Sequence, residues 1–305
     1  MILGVEKMKK GIALLLVFAC VFSLCATMAF ADFDYNSLMD LSAEELQNIK
    51  AIIDTLLVSK YKVVSDYQIS DAAREYYAAR EYYNQLNDTY VSVDESSAFD
   101  ESAYVEITET EDEEVCPITV DFNNLLAINK DVCAWLYSEG TLINNVVVQG
   151  SDNDNYLHHK LDGTYNASGT LFIDCECGPN FFGANTIIYG HNMKDGSMFA
   201  SLHNYVDQSY YDAHPVMYLS TPAGDYKLEV FSCFICDFDA DAYTLSFASE
   251  GDYSAFLTKM ASQSNVKTDV MVSSDERVVT LSTSTYEYDN ARCVVMAKLV
   301  PLKAK

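Results

Sequence analysis

Three residues of complementary chemistry stand at the ends of apolar runs. Val278 to Leu299 reads VVTLSTSTYEYDNARCVVMAKL. Two β-branched stretches flank a polar segment there, the pattern of a strand, a loop and a returning strand. Ser284 sits just past the end of the first stretch, and Arg292 lies where the second opens. A separate run, Asn185 to Met193 (NTIIYGHNM), ends its apolar part at Tyr189-Gly190 and presents His191 at the strand end. A hydroxyl nucleophile, an imidazole and a guanidinium at strand termini are the parts of acyl transfer: attack, proton transfer and oxyanion stabilisation. A serine hydroxyl needs a base in hydrogen-bond contact, usually oriented by a carboxylate. Glu287 or Asp289 could supply that carboxylate. Cys293 directly follows Arg292, so on a strand its thiol faces the other way. His158, His159, His203 and His214 show no metal-ligand pattern and read as surface or turn residues.

The elements that must position these residues are β-rich. Short runs at 145–149, 169–174, 185–189, 216–220, 226–234, 278–283 and 292–299 are punctuated by turn residues such as Asp162-Gly163 and Ala223-Gly224-Asp225. Strands at such spacing predict a barrel or sandwich. Between the last two groups, Tyr253 to Met260 reads as a helical insert. Ahead of the strands, Asp121 to Leu136 is expected to be helical, with Phe122, Leu125, Leu126 and Ile128 before the sole tryptophan, Trp135.

The N-terminal third has a different character. Met8-Lys9-Lys10 opens a secretion signal whose apolar run from Gly11 ends in Ala29-Phe30-Ala31, a small-x-small cleavage pattern. The same run is long enough to serve as an uncleaved membrane anchor, so residues 1–31 are a signal peptide or an anchor. Residues 32–93 form a helical region. Ser42 and Glu45 fit a capping box before Leu46, Ile49, Ile53 and Leu56, and a second helix is expected from Ser70 to about Leu86, where AREYY occurs twice. Ten carboxylates and no basic residue lie between Asp94 and Val115, so residues 94–117 read as an acidic linker. Residues 118–305 then make the catalytic domain.

Net charge is −26, which repels phosphate backbones and anionic headgroups and excludes nucleic acid as a partner; membrane contact is expected only through the N-terminal segment. Seven cysteines follow the signal, an odd number that does not read as a disulfide framework. Cys175-x-Cys177 and Cys233-x-x-Cys236 suggest zinc. On a strand, however, Cys233 and Cys236 point to opposite faces, and buried thiols acting as small hydrophobes are the favoured reading.

The motifs together resemble those of class B sortases, the surface transpeptidases of Gram-positive bacteria. The resemblance rests on YGHNM, the TLST-x-T pattern with its following arginine, DNDNYL near 152–157, GTLFID near 169–174 and NMKDGSMF after the histidine. It covers roughly residues 118–303. It implies a mostly β fold: an eight-stranded barrel with N-terminal helices and a helical insert before the penultimate strand. It further implies cleavage of a sorting-signal peptide through an acyl-enzyme and transfer to an amine of a cell-wall precursor or pilin, outside the cell, with no cofactor and no metal. His191, Ser284 and Arg292 fall on the catalytic positions, and Asn153, Leu157, Ser282 and Thr283 on segments that contact the sorting peptide. Where the family carries its nucleophilic cysteine, this chain has Ser284. Two readings stay open: a transpeptidase using Ser284, and a pseudo-sortase that binds sorting-signal or pilin peptides without cleaving them.

Overall fold

Val278–Ser284 (β9) lies at the seam where the sheet closes on itself. It pairs antiparallel with Ala291–Pro301 (β10) on one side and parallel with Asn185–Tyr189 (β6) on the other. The computed structural model describes residues 71–93, 114–178 and 181–303. Among these, β6 continues to Leu171–Ile173 (β5), Asn144–Val148 (β4), Val132–Tyr137 (β3), Val216–Thr221 (β7) and Gly224–Asp237 (β8), which meets β10 and closes an eight-stranded barrel. The expected barrel is therefore present.

Two apolar layers hold it. One, which includes Trp135, Leu219, Leu281, Cys293 and Val295, belongs to the main core. The other lies on the opposite face of β8, β9 and β10, where Phe231, Phe234, Val278, Val294 and Met296 pack under a helix between β8 and β9. That helix, Glu250–Ser262, buries Tyr253, Phe256, Leu257 and Met260 at helical spacing and is capped by Ser249, whose hydroxyl accepts from Asp252 N. It is the helical insert expected before the penultimate strand.

The region 121–136 departs from its expected helix. Phe122–Ile128 is helical, with Asp121 as N-cap, but Asn129 is extended and the chain enters β3 at Val132. Asn129 leaves the helix because its amide donates to Tyr156 Oη and to the Leu161 carbonyl. The next six residues, VCAWLY, are rich in β-formers and are gripped by β4 and β7 on both edges. Ala134, Trp135 and Leu136 are all fully buried, so no alternation marks the strand in the sequence.

The acidic segment also has more structure at its ends than expected. Asp71–Tyr90 (α1) runs directly into Val91–Val93 (β1), which pairs with Ile118–Val120 (β2). Along α1, Ala79, Tyr83 and Leu86 are buried and Tyr76 and Tyr90 pack beside them, one stripe at three- and four-residue spacing. Tyr83 and Leu86 belong to the main core, so α1 is docked on the barrel. Glu114 forms an ion pair with Lys227 and accepts a hydrogen bond from Tyr218. Residues 1–31, the helix expected after Ser42 and residues 94–113 lie outside the described residues. Among the described residues no helix is long and apolar enough to cross a membrane.

Candidate active site

Ser284 is the last residue of β9 and is exposed, while the six residues before it are buried. Its cross-strand partner in β10 is Arg292, and Arg292 in turn faces Cys236 of β8. Directly opposed residues in an antiparallel pair share a face, with Cβ atoms about 5 Å apart. Cys236, Arg292 and Ser284 thus form one row on the face that carries Val294 and Met296.

His191 approaches from the other edge of β9. The parallel register sets Tyr189 against Ser282, and Gly190 N donates to the Ser282 carbonyl at 3.2 Å. Thr283 Oγ1 donates to the Gly190 carbonyl at 2.7 Å, so the chain just before the histidine is clamped to β9 from both sides. His191 follows two residues after the last paired position of β6, Tyr189 opposite Ser282. A Cβ at 190 would stand 2.4 Å from Leu171 Cδ2 and 2.7 Å from Phe199 Cδ2, so any residue but glycine forces those buried side chains to shift. The His191 carbonyl accepts from Phe199 N at 2.9 Å, which closes the loop that follows.

The imidazole is half-buried, and its Nε2 lies 2.8 Å from the Leu157 carbonyl. A carbonyl only accepts, so Nε2 carries the hydrogen and Nδ1 is the free nitrogen of the neutral ring. Burial holds the His191 pKa below its ordinary 6.5; the Leu157 carbonyl opposes this and nearby His158 adds to it. Arg292 spends Nη1 on the carbonyls of Asn290 and Ala291, at 3.2 and 3.0 Å. Among the described residues no carboxylate pairs with this guanidinium.

Neither candidate carboxylate reaches His191. Glu287 accepts a hydrogen bond from Thr285 Oγ1, which holds its carboxyl below the usual range, and Asp289 is exposed on the turn. Behind His191 stands a backbone carbonyl instead.

The four residues matched to peptide-contacting segments all have partners in the scaffold. Ser282 and Thr283 are buried, and Ser282 Oγ shares a hydrogen bond with Tyr243 Oη at 2.8 Å. Asn153 donates to Asp174 Oδ2 at 2.9 Å and accepts from Cys175 N at 2.8 Å. Leu157 is half-buried and supplies the carbonyl for His191.

Three residues of this surround escaped sequence reading as individuals. Tyr243 stacks on Tyr189 at 6.3 Å, and Tyr189 donates to Asp174, which is the anchor for Asn153 as well. Asp174 and Tyr189 stood inside quoted motifs, but nothing in the sequence marks Tyr243, whose place depends on a contact between residues far apart in the chain.

The thiols divide as expected by face. Cys233 is buried in the main core and donates to the Tyr205 carbonyl, whereas Cys236 packs against the outer layer, where burial pushes its pKa up to about 11. Cys293 is buried with its thiol toward the Leu202 carbonyl, away from Ser284.

A family model described as the sortase domain matches residues 139–300. Sortase B of Listeria monocytogenes is 37% identical over 182 residues, covering 59% of this chain and 74% of that protein. The crystal structure of sortase B from B. anthracis in complex with AAEK1 superposes with a TM-score of 0.62 at 32% identity, covering 75% of this chain and 99% of that one. The Staphylococcus aureus sortase B–substrate complex gives 0.57 at 33% identity, covering 60% and 85% respectively. With more than half of its length matched and the barrel shared, this chain belongs to the sortase family and, within it, to class B.

Proposed function

We propose that this chain is an exported transpeptidase that cleaves a sorting-signal peptide through an acyl-enzyme on Ser284. The acyl group then passes to an amine of a cell-wall precursor or pilin at the cell surface. The observation that carries this reading is the register of β6, β9 and β10, which sets Arg292 opposite Ser284 and ends β6, two residues before His191, against Ser282.

In the first step Ser284 Oγ attacks the scissile carbonyl carbon and His191 Nδ1 takes its proton. The N–H groups of Arg292 not engaged by the turn carbonyls meet the developing oxyanion. The C–N bond breaks, and Nδ1 returns the proton to the departing amine. An acceptor amine then attacks the ester and gives Nδ1 a proton. The new C–N bond forms as the C–O bond breaks, and Oγ is reprotonated. Asn153, Leu157, Ser282 and Thr283 frame the peptide groove, the last two by fixing Tyr243 and Gly190. A neutral or cationic peptide suits a chain of net charge −26.

A second reading has its own observation. The support behind His191 is the Leu157 carbonyl, which favours an imidazolium less than a carboxylate would. On that reading the native chain is a pseudo-sortase that holds sorting-signal or pilin peptides without cleaving them.

Mass spectrometry of the native protein, Ser284→Ala and Ser284→Cys with a sorting-peptide library separates the two. Acylation by the native protein that Ser284→Ala abolishes supports the transpeptidase. Peptide binding without acylation, with turnover only in Ser284→Cys, supports the pseudo-sortase. A cysteine variant that binds and cleaves nothing ends both readings.

A further inference from the structure

Helix α1 is tied to the histidine side of the site by a continuous set of short contacts. Tyr83, 5% exposed, donates its hydroxyl to the Gly169 carbonyl at 2.6 Å and lies 2.9 Å from Thr170 Oγ1. Thr170 N donates to the Tyr156 carbonyl at 2.9 Å, and Thr170 Oγ1 donates to the His159 carbonyl at 2.8 Å. Gly169, at a φ of +56°, comes so close to this strand of loop that a Cβ would sit 2.3 Å from the Tyr156 carbonyl oxygen and 2.7 Å from that of Leu157. The Leu157 carbonyl is the acceptor that holds His191. Two other contacts fasten the same loop to α1: Asn166 Nδ2 donates to the Glu75 carbonyl, and Lys160 lies over the Tyr82 ring at 4.2 Å.

We propose that Tyr83 is a positioning residue for His191, and that α1, through the loop 156–170, fixes which imidazole nitrogen faces Ser284. The inference rests on His191 being the acid–base group of the site. The reasoning is mechanical: a carbonyl can orient a ring only if it is itself immobile. Leu157 lies in a single 3-10 turn, Asn155–Leu157, with no strand pairing of its own; beyond the turn's own bonds and those of Tyr156, it is braced by Gly169 and Thr170, which Tyr83 holds. Helix α1 is thereby part of the site's support even though it touches no reacting atom.

The test is the ring itself, read by nitrogen NMR in the full chain. In the native protein neutral His191 should be the Nε2–H tautomer. Tyr83→Phe, which keeps the ring and removes the hydroxyl, should give a mixture of tautomers and move the His191 titration midpoint further below 6.5, because the carbonyl that favours the imidazolium is released. Should that variant fail to fold, Thr170→Val removes the next hydroxyl in the series and should give the same change. In a Ser284→Cys background, Tyr83→Phe should lower kcat about three- to tenfold, the effect of one ordinary hydrogen bond, with KM little changed. A folded variant with an unaltered tautomer and midpoint overturns the proposal. The NMR readout needs no turnover, so an inactive cysteine variant would count against the functional reading while leaving the role of Tyr83 decided by the spectrum.

Discussion

The two halves of the site are built by different means. Ser284 and Arg292 are neighbours in one antiparallel ladder, and the bonds that align them are the regular ones of β9 and β10. His191 leans on that ladder only through Gly190 and otherwise depends on Phe199 N, the Leu157 carbonyl and, behind it, α1. A ladder fixes position through many redundant bonds, whereas a series of single bonds fails at its weakest member. The Ser284 half should therefore tolerate damage to stability and the His191 half should not.

The comparison can be broken most severely at Arg292. In a Ser284→Cys background, Arg292→Ala is expected to lower kcat/KM about 10²–10³-fold while the melting temperature hardly moves, because the side chain acts on charge and not on the ladder. Steady-state cleavage beside a thermal melt checks this. At the hinge between the halves, Gly190→Ala should cost about 1–3 kcal/mol by driving a methyl into Leu171 and Phe199, a loss measurable by urea unfolding. A more modest effect is expected of Thr283→Val, which removes the bond to the Gly190 carbonyl. We expect about 0.5–1.5 kcal/mol of stability and a fall in kcat, since His191 would be freed while Ser284 stays in register.

A pH profile sharpens the same contrast. Burial lowers the His191 pKa, so the stability this ring contributes is complete above 6.5 and is lost as pH falls through the lower folded value. Activity that needs the neutral ring should decline over that same interval below 6.5. His191→Gln should flatten the stability change between pH 7.5 and 5.5. A limb above 6.5 would mean that the ring is not held in a desolvated setting. The smallest effect concerns α1. After cleavage at a protease sequence inserted between residues 94 and 113, the helix should still co-elute with the barrel on gel filtration. Dissociation would show that Tyr83 and Leu86 contribute less to docking than their burial suggests.

The same division governs what the sequence reveals. Ser284, Arg292 and His191 stand at the ends of runs whose β-branched residues announce strands, and the observed β6, β9 and β10 differ from the expected ranges by at most two residues at either end. The insert helix is legible from Tyr253 to Met260 because one face is apolar at helical spacing. β3 is hidden because it is buried on both faces and so lacks alternation, and β1 and β2 are hidden because three residues are too few to carry a period. The support of His191 is hidden for another reason. Leu157 acts through its backbone carbonyl, which every residue possesses, and Tyr83 is one tyrosine among 22. Ser282 and Thr283 are easily located, but only packing reveals that their hydroxyls are bound to Tyr243 and Gly190.

The clasp formed by β1 and β2 has a practical consequence. Val93 is paired with Ile118, so whatever chain runs between them begins and ends at one fixed spot on the barrel. The entropy of closing such a loop grows only with the logarithm of its length, and each doubling costs about 0.6 kcal/mol. A fluorescent reporter or an affinity handle, with its own termini close together, can be spliced in between residues 94 and 113 at little thermodynamic expense. It would ride at the foot of α1, where its motion relative to the barrel reports directly on the docking of that helix.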